Sequence, residues 1–429
     1  MRIIENPDRK LQKELIARPI IATTHVNKIV KEVFDAVKKD GDIAVKRYTE
    51  QFDKVNIDRF TLTDADRANA STLVSQELKQ AIKAAKANIE KFHQAQKTGS
   101  IKVETSTGIT CWQVPKPIEK IGIYIPGGSA PLFSTVLMLA IPAVIAGCKE
   151  VILCSPPNKS GEIHPAIVYV AKLCGVTKIF KVGGIQAIAA MAFGTELIPK
   201  VYKIFGPGNQ YVTAAKQYAT QFNVAIDMPA GPSELLVIAD NTARADFVAA
   251  DLLSQAEHGA DSQVVLLTTN RVFLNKVQES LKKQLSRLTR KEIAEKALEN
   301  ALFIVVKDHQ TACEITNEYA PEHLIICTGQ NQFYIENIIN AGSVFLGNYT
   351  PESAGDYASG TNHTLPTNGY AKQYSGVNLD SFVKKITYQK ISKEGLKTIG
   401  KTIETMALTE GLDAHKNAVS IRLKQLENE

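Results

Sequence analysis

The chain has 429 residues, of which 44% are apolar and 22% are charged, a composition typical of soluble proteins with two or three domains. Its net charge of +6 is small for this length, and its lysines alternate with acidic residues, which argues against a nucleic-acid-binding surface. The six cysteines form no CxxC pair, so we expect free thiols and a cytoplasmic protein rather than a disulfide framework.

The N-terminal part of the chain predicts helices. Residues 1–24 form an arm in this interpretation, and residues 25–110 form a helical segment that joins the second α/β domain, because apolar residues recur every three or four positions. The stretch from Ile121 to Cys148 carries no charge and is long enough to span a membrane. Prolines and glycines interrupt it, however, which favours a strand, a glycine-rich loop and a buried helix.

From residue 111 onward, short apolar runs alternate with helical patterns. This alternation is typical of βαβ units around a parallel sheet. We therefore predict an α/β fold with two Rossmann-like α/β domains, at residues 111–232 and 233–378, with additional N-terminal and C-terminal helical segments. The C-terminal helical segment, residues 379–429, has no sheet of its own in this interpretation, so it could dock elsewhere on the chain or on a second subunit.

An adjacent acid and imidazole, Glu322 and His323, stand between Pro321 and a predicted strand. Such a pair could serve two separate proton transfers, since histidine titrates near neutrality. Glu322 could instead cap or pair locally, with His323 simply beginning the strand. The residues alone leave both interpretations open.

Polar residues that could bind a metal ion are scattered over the second half of the chain. Gln255 and His258 share one face of a predicted helix, although His258 could instead stabilise the helix end. Asp356 lies in a turn-rich loop and could be a ligand or could order its own turn. His415 falls in a predicted first helical turn, where an exposed histidine is the alternative.

Three glycine-rich loops follow predicted strands and precede predicted helices: PGGSAP, VGGIQ and GPGNQY. A dinucleotide phosphate could bind at such helix N-termini. Neither GxGxxG nor GxxxxGK[ST] occurs, so the glycines could equally allow close packing of helices on strands.

The chain closely resembles the histidinol dehydrogenase family over nearly its whole length. The resemblance rests on long motifs in a fixed order: IPGGSAPLFSTVLMLAIPAVIAGC, VGGIQAIAAMAFGTE, KIFGPGNQYVTAAK, IDMPAGPSE, DLLSQAEHGADSQV, PEHLII, AGSVFLGNYTPESAGDYASGTNHTLPT and AHKNAV. It implies a two-step, NAD-dependent oxidation of L-histidinol to L-histidine through L-histidinal, the final step of histidine biosynthesis. It also implies one zinc ion per subunit, no membrane or nucleic-acid partner, and a homodimer whose active site is shared between subunits.

The resemblance also implies roles for individual residues. His323 would be the general base, and Glu322 would activate water for the second oxidation. The zinc ligands, which with His323 would also contact the substrate, would be Gln255, His258, Asp356 and His415. Further substrate contacts would come from Ser233, His363 and Glu410, and the NAD site would be lined by Tyr124, Gln186 and Asn209. Glu410 and His415 would act on the partner's site.

The residues alone leave two other classes of function open. One is a zinc hydrolase with Glu322 as its base, which the absence of an open Cys/His-rich ligand set and the doubled α/β units disfavour. The other is a non-catalytic binding protein. Formation of NADH from histidinol would separate the dehydrogenase from both.

Overall fold

The computed structural model describes residues 1–18, 24–127 and 131–429. Their contacts group into two units, a main unit of Met1–Gln96 with Ile118–Phe382 and a second unit of Lys97–Pro117 with Val383–Glu429. Within the described ranges, no helix is long and apolar enough to cross a membrane. The predicted glycine-rich loop PGGSAP lies partly outside the described residues.

Strands and helices are numbered in chain order, and they alternate mainly between residues 120 and 357. The strands are β1 (Arg2–Glu5), β2 (Ile101–Ser106), β3 (Ile109–Pro117), β4 (Lys120–Tyr124), β5 (Glu150–Cys154), β6 (Lys178–Phe180), β7 (Lys203–Phe205), β8 (Ala225–Ile226), β9 (Glu234–Ala239), β10 (Gln263–Thr268), β11 (Leu302–Val305), β12 (His323–Cys327), β13 (Ser343–Leu346) and β14 (Val383–Ile391).

The α-helices are α1 (Arg9–Leu15), α2 (Thr24–Asp40), α3 (Asp42–Asp53), α4 (Asp64–Thr72), α5 (Gln76–Ala95), α6 (Phe133–Ala146), α7 (Pro165–Leu173), α8 (Gly184–Phe193), α9 (Gln210–Ala219), α10 (Ala245–Ala256), α11 (Arg271–Leu285), α12 (Lys291–Glu299), α13 (His309–Tyr319), α14 (Asn331–Asn337), α15 (Glu352–Tyr357), α16 (Lys393–Thr409) and α17 (Asp413–Glu427). Short 3-10 helices cover Thr220–Phe222, Tyr370–Lys372 and Leu379–Phe382.

The first sheet of the main unit is parallel and has the order β6-β5-β4-β7-β8. Chain order reverses direction between β4 and β7, as it does at the switch point of doubly wound sheets. Alternate residues of each strand enter opposite cores: Ile152 of β5 packs with helices α2, α3, α8 and α9, and Leu153 packs with α5, α6 and α7. Helices on both faces explain why these strands are apolar throughout.

The second sheet of the main unit is also parallel, with the order β1-β11-β10-β9-β12-β13. Helices α10, α11 and α12 cover one face, and α1, α13 and α14 cover the other. The predicted N-terminal arm is therefore built into this sheet, because β1 is its edge strand and Leu15 is buried under it. The predicted α/β class with parallel sheets is confirmed.

The second unit shows where the sequence-based interpretation of elements was wrong. Residues 383–391 and 101–106 form strands rather than parts of helical segments, and β14 pairs antiparallel with β3 along its whole length. The alternation of residues in VKKITYQKI indicates a strand, but the lysines of this segment make the alternation hard to recognise. Trp112 and Tyr388 face each other across the pair, with ring centroids 5.4 Å apart.

Candidate functional site

The candidate acid–base residues lie at the amino end of β12. His323 is the first residue of that strand and pairs with Leu235 of β9, so the site is next to the start of β9 as well. Ligands in open parallel sheets usually bind at the carboxyl ends of the strands. Here the candidate residues lie at the amino edge of the six-stranded sheet, because α10 ends at this edge and α15 packs near it.

One ring nitrogen of His323 has a hydrogen-bond partner, and the other has none among the described residues. Nδ1 lies 3.2 Å from the backbone carbonyl oxygen of Glu234, and since a carbonyl can only accept, Nδ1 carries the hydrogen. Nε2 is buried and has no hydrogen-bond partner among the described residues. In the neutral imidazole, Nε2 is therefore the basic nitrogen, available to take a proton.

Carboxylates surround this imidazole. Oε2 of Glu322 and Oε1 of Glu352 lie 3.7 and 3.5 Å from Nδ1 of His323, and Oδ1 of Asp356 lies 3.7 Å from Nε2. Burial opposes the charged imidazole, but these carboxylates outweigh it and raise the pKa of His323 to about 10. Without a further positive charge in the site, His323 is thus held protonated.

The same burial acts on the carboxyl groups. It raises the pKa of Glu322 to about 7 and that of Glu352 to about 8, with His323 opposing the shift in each case. Burial also acts to raise the pKa of Asp356, but the neighbouring His323 outweighs it and the pKa is lowered. Such groups with displaced pKa values, packed against one imidazole, are typical of a site that moves protons or binds a cation.

Three of the four zinc ligands implied by the resemblance belong to the main unit. Gln255 is fully buried near the end of α10, and neither its amide oxygen nor its amide nitrogen has a partner in the described part of the chain. His258 follows that helix; its side chain is exposed overall, yet the nearby protein displaces water and lowers its pKa, while Asp356 acts to raise it. The orphaned buried amide of Gln255 precedes His258 by three residues, and donors of this kind suit a cation held by N and O atoms.

Glu352 is a functional candidate that sequence reasoning missed. It is 1% exposed, and neither carboxylate oxygen has a hydrogen-bond partner among residues the structure describes. With His323 and Asp356 it forms a group whose ligand atoms lie within 4.8 Å of one another. Its position four residues before Asp356, on one face of α15, was the available signal.

His363 connects the two sheets of the main unit. Its Nδ1 lies 2.8 Å from the backbone oxygen of Asp356, and its Nε2 lies 3.1 Å from Oγ1 of Thr135 in α6. Helix α6 follows β4 of the five-stranded sheet. The carboxyl side of one sheet therefore meets the amino side of the other at this histidine. Both ring nitrogens are engaged, so its predicted substrate contact stays a prediction.

The residues implied for NAD lie at the carboxyl ends of strands in the five-stranded sheet. Tyr124 ends β4, and its hydroxyl accepts the N–H of Gly184 at 3.1 Å. Gln186 is fully buried; its Nε2 donates to Asp53 at 3.3 Å, and its Oε1 has no partner within the described ranges. Gln186 belongs to the first turn of α8, which follows the edge strand β6, so its contact with NAD stays a prediction.

Asn209 also caps the helix that follows it. Its side-chain oxygen accepts the N–H groups of Tyr211 and Val212 at 3.0 and 3.2 Å, which caps α9. Two first-turn N–H groups of this helix are thus already bonded, which reduces its value as a phosphate site. The preceding loop is rigid, since Lys216 donates to the carbonyl of Gly206 at 2.7 Å and forms a buried ion pair with Asp227.

The other predicted residues are less constrained by the structure. Ser233 is half-buried in the loop before β9, next to the residue that contacts His323. Glu410 and His415 belong to the second unit, at the end of α16 and the start of α17, and both are exposed. Their roles stay predictions.

Comparisons with known proteins agree over the whole chain. The family model for histidinol dehydrogenase matches residues 16–423. The histidinol dehydrogenase of Bacteroides thetaiotaomicron is 59% identical over 426 residues, covering 99% of this chain and 100% of that protein. That of Escherichia coli O6:H1 is 53% identical over 421 residues, covering 97% of this chain and 96% of that protein.

A solved structure extends the agreement to three dimensions. The crystal structure of histidinol dehydrogenase from Elizabethkingia anophelis has a TM-score of 0.98 and 57% sequence identity, and it covers 100% of this chain and 99% of that one. Identity of this extent in sequence and in fold shows the family directly. This chain belongs to the histidinol dehydrogenase family.

Proposed function

We propose that this chain oxidises L-histidinol to L-histidine through L-histidinal, consuming two NAD molecules in each turnover. The family is NAD-dependent and binds zinc. The observation that carries the proposal is the state of His323: its Nε2 is buried and unpartnered among the described residues, and carboxylates surround its imidazole ring. That nitrogen is placed to accept the proton of a substrate alcohol.

His323 serves the first oxidation. Nε2 takes the hydroxyl proton of histidinol as the carbon–hydrogen bond at the same carbon breaks, and the aldehyde forms. When bound, NAD would supply the hydride acceptor for both oxidations. The fixed hydrogen on Nδ1 keeps the imidazole in the tautomer that this proton transfer needs.

Glu322 serves the second oxidation. Histidinal has no second hydride to give until water adds to its carbonyl carbon. The carboxylate of Glu322, with a pKa raised to about 7 by burial, is suited to take a proton from that water near neutrality. Loss of a second hydride from the resulting diol leaves the carboxylate of histidine.

The residues proposed to hold zinc are Gln255, His258 and Asp356 of one subunit and His415 of its partner. Zinc, when bound, would orient the amine and imidazole nitrogens of the substrate and would offset the carboxylates that hold His323 protonated. Support for this set comes from the orphaned amide of Gln255 and the low pKa of Asp356. Residues His323, Glu352 and Asp356 are the competing set.

We also propose that the protein is a homodimer of the cytoplasm. All six cysteines lie in described ranges and are free thiols, which supports a reducing compartment. The exposure of Glu410 and His415 leaves both side chains available to a neighbouring subunit.

The test is the stoichiometry of oxidation. Purified zinc-loaded protein is incubated with a limiting amount of L-histidinol and excess NAD, and NADH absorbance and histidine are measured. Two NADH and one histidine per histidinol are expected. NADH at one equivalent with histidinal accumulating would contradict the second oxidation, and the absence of NADH would contradict the dehydrogenase.

A further inference from the structure

The backbone of one residue, Glu234, contacts both proposed acid–base groups. Its N–H donates to Oε2 of Glu322 at 2.8 Å, and its carbonyl oxygen accepts from Nδ1 of His323 at 3.2 Å. The position of this single peptide segment therefore fixes the carboxylate of one group and the tautomer of the other. A shift of Glu234 would misplace both.

The side chain of Glu234 is anchored on the opposite side. It is fully buried, and Arg18 donates to it through two parallel hydrogen bonds of 2.6 and 2.8 Å. The backbone N–H of Asn368 donates to the same carboxylate at 2.9 Å. A two-point contact of this kind fixes orientation as well as distance.

Arg18 is itself held by the segment that leads into the acid–base residues. Its Nη2 donates to the carbonyl of Tyr319 at 2.7 Å, and its guanidinium lies 4.1 Å from the centre of the Tyr319 ring. Tyr319 ends α13, only three residues before Glu322. Arg18 thus joins the start of β9 to the segment just before β12, two parts of the chain that must be in register for the site to form.

We propose that Arg18 and Glu234 are a positioning pair for the oxidation, acting through Glu322 and His323 and not on the substrate. The inference rests on the proposed function. The pair is also linked to a neighbouring loop, because Asn368 donates to Glu234 and the adjacent Thr367 accepts the N–H of Gly231 at 2.5 Å, two residues before Ser233. Three segments that carry site residues therefore meet at one buried ion pair.

Four variants test the pair: Arg18→Lys, Arg18→Met, Glu234→Gln, and the double variant Arg18→Met with Glu234→Gln. Arg18→Lys keeps the charge but loses the two-point contact, so we expect a melting temperature close to that of the unaltered protein and a kcat lower by about 10-fold to 100-fold. The KM for NAD and the bound zinc should not change. Zinc content and kcat per folded subunit are measured well below the melting temperature.

The double variant separates positioning from stability. Arg18→Met alone leaves a buried carboxylate without its partner, which lowers stability. Adding Glu234→Gln removes that charge, so the melting temperature should recover, while kcat should stay low because the two-point contact is still absent. Recovery of kcat in parallel with the melting temperature would mean that the pair is only structural, and would overturn the proposal.

Asp240, just beyond the other end of β9, provides the matched control. It is 8% exposed, and its carboxylate accepts the N–H groups of Thr242 and Gly329. Asp240→Asn should lower the melting temperature without changing kcat. If the unaltered protein makes no NADH from histidinol, the proposed function fails; if it does and Arg18→Lys matches it, the positioning inference alone fails.

Discussion

His323 can take a proton through one nitrogen only, because the carbonyl of Glu234 holds the hydrogen on the other. Glu322 is the neighbouring residue, yet it is fixed by a different group, the N–H of Glu234. The two side chains therefore keep separate positions 3.7 Å apart, and the two oxidations can depend on different residues. These two hydrogen bonds are the structural basis of the proposed separation of roles.

Substitution of each acid–base residue should affect a different step. In His323→Asn the first oxidation should slow by roughly 10²–10⁴-fold, the usual range for a lost general base, with zinc still bound. In Glu322→Gln the first oxidation should proceed while the second stalls. Single-turnover measurements with histidinol, and separately with histidinal, give the two rates. Equal loss of both steps in both variants would contradict the separate roles.

Metal content decides between the two candidate ligand sets. If Gln255, His258 and Asp356 hold zinc, His258→Ala should purify with little zinc and Glu352→Gln should retain it. The opposite result would favour His323, Glu352 and Asp356 as the ligands. His25→Ala, an exposed histidine on α2, is the matched control and should keep its zinc. Metal analysis of the dialysed proteins is the measurement.

At the scale of elements, each sheet contributes one edge to the site. In the five-stranded sheet this is the carboxyl edge, where β4 and β7 lie side by side and their loops diverge. In the six-stranded sheet it is the amino edge, to which α10 and α15 bring Gln255, Glu352 and Asp356. Helix ends and short loops, not the strands alone, place most of the polar groups.

Gly206 controls the approach of β4 and β7 at the predicted NAD edge. Its φ is +125°, and a Cβ atom there would lie 2.0 Å from the backbone oxygen of Tyr124. Gly206→Ala should therefore separate the loop from Tyr124, raise the KM for NAD and lower the melting temperature. Steady-state kinetics at varied NAD, with thermal unfolding, test this.

Gly347 is the matched glycine for that experiment. Its φ is +84°, but nothing lies within 4 Å of an added Cβ atom, and it follows β13 in the other sheet. Gly347→Ala should lower stability by about 1 kcal/mol through backbone strain alone, with no change in the KM for NAD. If both variants alter that KM equally, the close approach at Gly206 is not the cause.

At the scale of the whole molecule, the proposed sharing of the site between subunits has a direct test. His415→Ala and His323→Asn are each expected to be inactive. When they are mixed by unfolding and refolding together, one site of each mixed dimer would combine an intact His323 with an intact His415 of the partner. Activity of about a quarter of the unaltered protein is then expected from random pairing.

The same mixture also tests the alternative that His415 serves the site of its own subunit. If His415 serves its own subunit, every site in a mixed dimer carries one substitution and no activity returns. Refolding each variant alone controls for recovery of the parent proteins, and a mixture with the unaltered protein controls for the yield of refolding.

The class of the fold and most of its elements could be predicted from local patterns in the amino-acid sequence. The strands from β4 to β13, apart from β8, and the helices between them followed from apolar runs and periodicity, because buried parallel strands and amphipathic helices differ in local pattern. The sequence also marked Glu322, His323 and Asp356, though residues alone left each with a structural alternative. Strands β1, β2, β3, β8 and β14 were missed, and in β14 the lysines obscure the period of two.

The contacts that these residues make could not be predicted in this way, because they form only in the folded chain. The 3.2 Å contact that fixes the tautomer of His323 joins residues far apart in the chain, and so does the ion pair of Arg18 with Glu234. The buried, unpartnered oxygens of Glu352 likewise depend on distant residues that cover them. No local periodicity encodes such contacts, because they arise from the packing of α13 and α15 against the amino edge of a sheet. Burial there displaces the pKa values, and burial is a property of the assembled fold.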